Sequence, residues 1–135
     1  MVFHCFCTII LTNRKNDNGD TVFDYLLREI PDLKVELDVG WALYAGTDVV
    51  KLLKKYRDRI AIIHLKDIND GIVKENSKEF FTTVGEGSIP LEKILEEAQK
   101  IQLFESEYII DQDDSKGDML DSLRDGVNNI KKVFA

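Results

Sequence analysis

Short apolar runs alternate along this chain with stretches in which apolar residues recur every three or four positions. Residues 2–11, rich in β-branched and aromatic side chains, and the short runs at 33–38, 60–65 and 108–111 predict four strands. A helix is expected over 21–30, capped by Asp20, with Val22, Phe23, Leu26, Leu27 and Ile30 on one face and Pro31 stopping it. A second helix runs from an N-cap at Thr47 through Tyr56 and turns Val49, Val50, Leu52, Leu53 and Tyr56 inward. Pro90 suits the first turn of a third, whose face is Ile94, Leu95, Ala98 and Ile101 and whose end falls near Gln102. The last carries Leu120, Leu123, Val127, Ile130 and Phe134 at near-heptad spacing. Polar or glycine-marked segments at 12–19, 40–46 and 111–117 are expected loops, and 69–79 is a longer surface excursion.

This order is βα repeated four times. Strands alternating with helices at such spacing predict an α/β domain with a parallel sheet and right-handed crossovers. Four units are about half of a (β/α)8 barrel, which needs around 250 residues. No glycine-rich phosphate fingerprint follows the first strand, so a nucleotide-binding doubly wound sheet is disfavoured. The segment Ile60 to Asp67, IAIIHLKD, is the centre of the pattern. Its continuous apolar composition predicts a strand buried on both faces. It then switches abruptly to His64, Lys66 and Asp67, at the strand end where parallel α/β folds collect binding and catalytic groups.

Composition adds limits. The 135 residues make a single domain (1–135), with 44% hydrophobic and 32% charged residues, ordinary for a globular protein. The net charge of −7 argues against a nucleic-acid backbone or an anionic membrane as the main partner, while a phosphorylated small molecule stays open. Cys5 and Cys7 lack the second ligand pair of a zinc site and are read as incidental reduced thiols of a cytoplasmic protein. The apolar opening is shorter than the ~20 residues of a membrane span and has no basic start or cleavage site, so it is read as a strand.

Three strand ends carry titratable side chains: Asp38, His64 and Asp111. If the strands are neighbours these converge, and two carboxylates with an imidazole suit Mn²⁺, Co²⁺, Mg²⁺ or Zn²⁺. Each also has a plainer reading. Asp38 caps the Gly40-Trp41 turn, His64 is a satisfied histidine at a sheet end, and Asp111 is a solvated loop residue in the acidic run DQDD. Lys66 and Asp67 bind substrate oxygens or orient the imidazole, or they form a surface ion pair. Trp41 is an apolar wall of a sugar pocket or a core residue. Glu86, in Gly85-Glu86-Gly87, sits on a turn that closes over a ligand or merely connects. His4, inside an apolar run, reads as a buried histidine before a ligand.

Four segments, ELDVGWALYAG, KKYRDRIAIIHLKD, VGEGSIPLEKIL and YIIDQDDS, resemble the sugar phosphate isomerase/epimerase family of xylose isomerase-like TIM barrels. Their order and spacing agree from about Gly19 to Phe134. The resemblance implies that the chain holds the fifth to eighth βα units, with IAIIHLKD as the seventh strand. It also implies a divalent metal held by Asp38, His64 and Asp111, the last standing where the family has glutamate. The preceding strand of the family carries a Tyr-His-Asn-His segment and then an acidic ligand. Here only His4 matches, and residues 1–18 read as a divergent or truncated start, with the first four units absent.

For the intact family the implied chemistry is proton transfer next to a sugar carbonyl, with the metal polarising oxygens and carboxylates carrying the proton. Asp111 and Lys66 are the catalytic candidates. Trp41, Lys66, Asp67 and Glu86 are the substrate-binding candidates, for a small sugar or sugar phosphate. The isolated chain, short of a ligand and half a pocket, is expected to be inactive alone. Open sheet edges predict a homo-oligomer, with twofold pairing of two halves as one form. The alternative is a non-catalytic half-barrel that self-associates or binds. An endonuclease-IV-like DNA repair role, on the same fold, would want more basic residues.

Overall fold

The computed structural model describes residues 6–8, 16–17, 19–101 and 108–135. Within them β1 (Phe6–Thr8), β2 (Lys34–Asp38), β3 (Ile60–Leu65) and β6 (Tyr108–Ile110) form one parallel sheet in the order β1-β2-β3-β6. Helices join them: α1 (Val22–Glu29), then α2 (Val39–Tyr44) and α3 (Val49–Lys55), then α5 (Leu91–Ala98), with α6 (Met119–Phe134) after the last strand. The architecture is therefore four parallel βα units, half of a (β/α)8 barrel in plan. The rest of the first expected strand, with His4 and Cys5, and the expected helix end at Gln102 lie outside the described residues.

Helix starts follow the strongest local cap. Thr21, not Asp20, caps α1, because Thr21 and Asp24 form a reciprocal box: the Asp24 N–H donates to Thr21 Oγ1 (3.1 Å) and the Thr21 N–H to Asp24 Oδ2 (3.0 Å). Asp20 instead pairs with Arg28. Asp48, not Thr47, caps α3 and accepts from the Lys51 N–H at 3.0 Å. The expected loop at 40–46 is mostly the helix α2. It opens directly at the strand end, because Asp38 Oδ1 accepts the Trp41 N–H at 2.9 Å. The excursion also holds structure: α4 (Ser77–Phe80) leads into β5 (Phe81–Thr82), which pairs antiparallel with β4 (Asp67–Ile68).

The core lies between one face of the sheet and the helices. Val35, Leu37, Ile63 and Leu65 point into it and meet Phe23 and Leu27 of α1, Leu52 and Leu53 of α3, and Ile94 and Leu95 of α5. The other face is incompletely covered. Lys34, Glu36, Ile62 and His64 are half-buried and Ile109 is 38% exposed. The expectation that IAIIHL is buried on both faces thus holds for one face only, since His64 and Ile62 are half-buried on the face that would line the interior of a closed barrel. A second apolar cluster, Ile68, Phe80 and Phe81 with Trp41 and Leu43 against it, supports the excursion. No helix among the described residues is long and apolar enough to cross a membrane.

Candidate functional site

Parallel register brings the three strand ends together. Asp38 is the register partner of His64, and His64 that of Ile109, two residues before Asp111. Side chains two apart on a strand share a face, so all three carry their side chains to the same side at the same end. The Asp111 N–H still donates to Leu65 O at 3.1 Å, which extends the pairing past β6 and holds the residue in line. One donor atom from each of Asp38, His64 and Asp111 falls within 4.8 Å of the others. Asp38 serves two purposes at once: Oδ1 caps α2, and Oδ2 faces the cluster.

Two participants were not singled out from sequence. Glu36 Oε1 lies 2.9 Å from His64 Nε2, while His64 Nδ1 faces Asp111 Oδ2 at 3.5 Å. Glu36 therefore orients the ring and leaves Nδ1 toward the carboxylate cluster. Asp113 Oδ2 lies 2.8 Å from Lys66 Nζ. The signal for both was available, because Glu36 precedes Asp38 by two positions and Asp113 follows Asp111 by two.

Lys66 is the largest departure from the sequence-based picture. Its side chain is 4% exposed and its ammonium sits where the carboxylates converge, 3.2 Å from Asp38, 2.8 Å from Asp111 and 2.8 Å from Asp113. The Nζ stands 5.2 Å from the centre of the Trp41 ring and 5.9 Å from that of Phe81. Burial pulls the ammonium's pKa down, but the hydrogen bonds to Asp111 and Asp113 and the charge of Asp38 outweigh it, and the group is held above the ordinary lysine value. Burial raises the Asp38 carboxyl above its usual range despite the Trp41 N–H and Lys66, which work the other way.

Asp67 points elsewhere. It is 1% exposed, and its carboxylate accepts the N–H groups of Gly85 and Gly87 on Oδ2 (2.9 Å each) and of Ile68 and Ile89 on Oδ1 (2.9 and 3.1 Å). That set of four fills a carboxylate's acceptor positions and leaves none for a substrate. Asp67 is a clamp on the loop 85–89, and Gly87 is needed there because a Cβ would lie 2.3 Å from Asp67 Oδ1. Glu86 is exposed between the two glycines and borders surface clefts with Asp125, apart from the cluster. Trp41 is half-buried, edge-on to Phe81 (5.9 Å) and Tyr44 (5.7 Å) and beside Lys66, so it does stand next to the site.

The donor set fits a divalent cation. Its carboxylates already converge on a positive charge, that of Lys66, and it offers the mixed oxygen and imidazole donors such ions accept.

No family model matches the chain. Part of it is similar to inosose dehydratases: 40% identical over 68 residues to that of Clostridium botulinum, covering 42% of this chain and 23% of the relative. The Geobacillus kaustophilus protein is 43% identical over 53 residues, covering 37% and 17%. The fold is similar to a sugar phosphate isomerase/epimerase from Parabacteroides distasonis, with a TM-score of 0.59 and 19% identity, over 89% of this chain and 37% of that structure. The chain thus matches less than a quarter of the length of these two relatives. The fold agrees with that of a sugar phosphate isomerase/epimerase, and part of the sequence is similar to inosose dehydratases.

Proposed function

We propose, from this likeness to sugar isomerase/epimerase barrels, that the chain supplies the C-terminal half of a metal-dependent site. Its chemistry is proton transfer next to the carbonyl of a small sugar or sugar phosphate. One observation carries the reading: Asp38, His64 and Asp111 converge at one end of a parallel sheet, at the positions that the resemblance assigns to ligands. These three residues would hold Mn²⁺, Co²⁺, Mg²⁺ or Zn²⁺. Such an ion, when bound, polarises the carbonyl and hydroxyl oxygens of the substrate.

The chain's own groups divide the remaining work. Glu36 orients His64. The half-exposed carboxylate of Asp111 lies within reach of both His64 and Lys66 and is placed to take and return the proton. Lys66, whose ammonium sits among the carboxylates of Asp38, Asp111 and Asp113, is placed as a donor to substrate oxygens. Trp41 forms the apolar wall. Elimination of water, the reaction in the relatives' name, needs the same proton next to a carbonyl and belongs to the same reading. By itself the chain is expected to bind the ion without turnover, since these units supply only one side of a pocket.

Calorimetric titration of the chain with Mn²⁺ and Co²⁺ tests this. Saturable binding that His64→Ala abolishes is the expected result. Absence of binding in the unaltered chain would favour the second reading, a non-catalytic half-barrel that associates with itself. A separate observation supports that alternative: among the described residues β1 and β6 are the outer strands of the sheet, each paired on one side only.

A further inference from the structure

Lys66 is built into the cluster more firmly than a surface lysine would be. Its stem lies against the backbone of α2, where a Cβ added to Gly40 would come within 2.9 Å of Lys66 Cγ and 2.7 Å of Lys66 O. Its flank meets Trp41 and Phe81, and its three ammonium hydrogens have three carboxylate partners, those of Asp38, Asp111 and Asp113. Two of those carboxylates, Asp38 and Asp111, are also the proposed metal ligands. A divalent ion bound between them would lie within a few ångströms of the ammonium, and like charges at that separation repel strongly in a half-buried site.

We infer that Lys66 is an internal competitor for the metal. Its ammonium is the resident cation of the Asp38–Asp111–Asp113 cluster, and a divalent ion binds by displacing it. The glycine at position 40 is what admits the stem and makes the arrangement possible. This rests on the proposed function for the identity of the incoming ion. Lys74 provides a natural control. Its Nζ also stands over Trp41, at 4.5 Å from the ring centre, and no ion pair joins it to the three carboxylates.

The test is Mn²⁺ titration by calorimetry of the full chain, Lys66→Gln, Lys66→Met and Lys74→Gln, with circular dichroism to select folded proteins. Both Lys66 variants should bind Mn²⁺ roughly tenfold tighter or more, and Lys74→Gln should stay within about threefold of the unaltered chain. Equal or weaker binding by the Lys66 variants, or a gain in Lys74→Gln as large as theirs, overturns the inference and leaves the metal reading standing. No Mn²⁺ binding by any of the four overturns both. A second measurement needs no variant: lysine acylation of the unaltered chain, read by mass spectrometry. Lys66 should be protected without Mn²⁺ and labelled several-fold faster once the site is saturated. Continued protection at saturation overturns the displacement.

Discussion

At the scale of single residues, Asp67 separates what neighbouring letters in IAIIHLKD do. It follows Lys66 directly, yet the two side chains serve different purposes, one joining the charged cluster and the other clamping a loop. Burial raises the Asp67 carboxyl above its usual range, while the four N–H donors pull it back. Removing it leaves those donors, two of them fully buried bonds, without a partner. Asp67→Ala should therefore lose about 3 kcal/mol of stability, measurable as a lowered urea midpoint, since unsatisfied buried donors cost 1–3 kcal/mol each before any relaxation. A change under about 0.5 kcal/mol would mean that the loop does not depend on this clamp.

Between elements, α1 and α3 are tied by Asp24. Burial alone would raise its carboxyl, but the bonds from Lys55 Nζ (2.7 Å), the Tyr56 hydroxyl and Thr21 outweigh it and hold the group well below the usual carboxylate range. Phe23 and Tyr56 pack edge to face beside this contact, with ring centres 5.0 Å apart. A carboxyl whose folded value is depressed binds protons more readily when unfolded, so its contribution is present above the ordinary value of 3.8 and is lost as pH falls below it. Thermal denaturation should show stability dropping between about pH 4 and the folded value, and Asp24→Asn should flatten that part of the curve. Equal slopes in the two proteins would refute the assignment. Arg59 makes a similar long-range tie. Its guanidinium donates to the carbonyls of Leu27 (2.8 Å), Ile30 (2.6 Å) and Leu33 (2.9 Å), closing the C-terminal end of α1 in place of a glycine cap.

For the whole molecule, the open face of the sheet is the dominant feature. Ile62, His64 and Ile109 stand on it, and β1 and β6 border it with one unpaired edge each among the described residues. Unpaired edges beside exposed apolar groups favour strand pairing with another chain. Sedimentation velocity at micromolar concentration should find a dimer or larger species, and Ile109→Lys should shift it toward monomer. A monomer for the unaltered chain would contradict self-association and would leave the metal site untouched.

Much of this was legible from residue order. The apolar runs marked the strands and the three-to-four spacing marked the helices, because each periodicity follows from how side chains leave its backbone. Asp38, His64 and Asp111 were expected to converge if their strands were neighbours, and the parallel register then placed them on one side. Helix starts were less secure: Asp20 and Thr47 are good caps by type, but Thr21 and Asp48 made the better local bonds. The loop expected at 40–46 became a helix because a strand-end carboxylate capped it, a bond that composition does not reveal. Sequence by itself determined the four βα units and the residues at their ends. Tertiary structure decided the roles of Lys66 and Asp67, because a side chain's partners come from distant segments: Asp38, Asp111 and Asp113 for one, the 85–89 loop for the other. IAIIHLKD names the charges, and only the packing of other strands and loops around it determines which of them face the site.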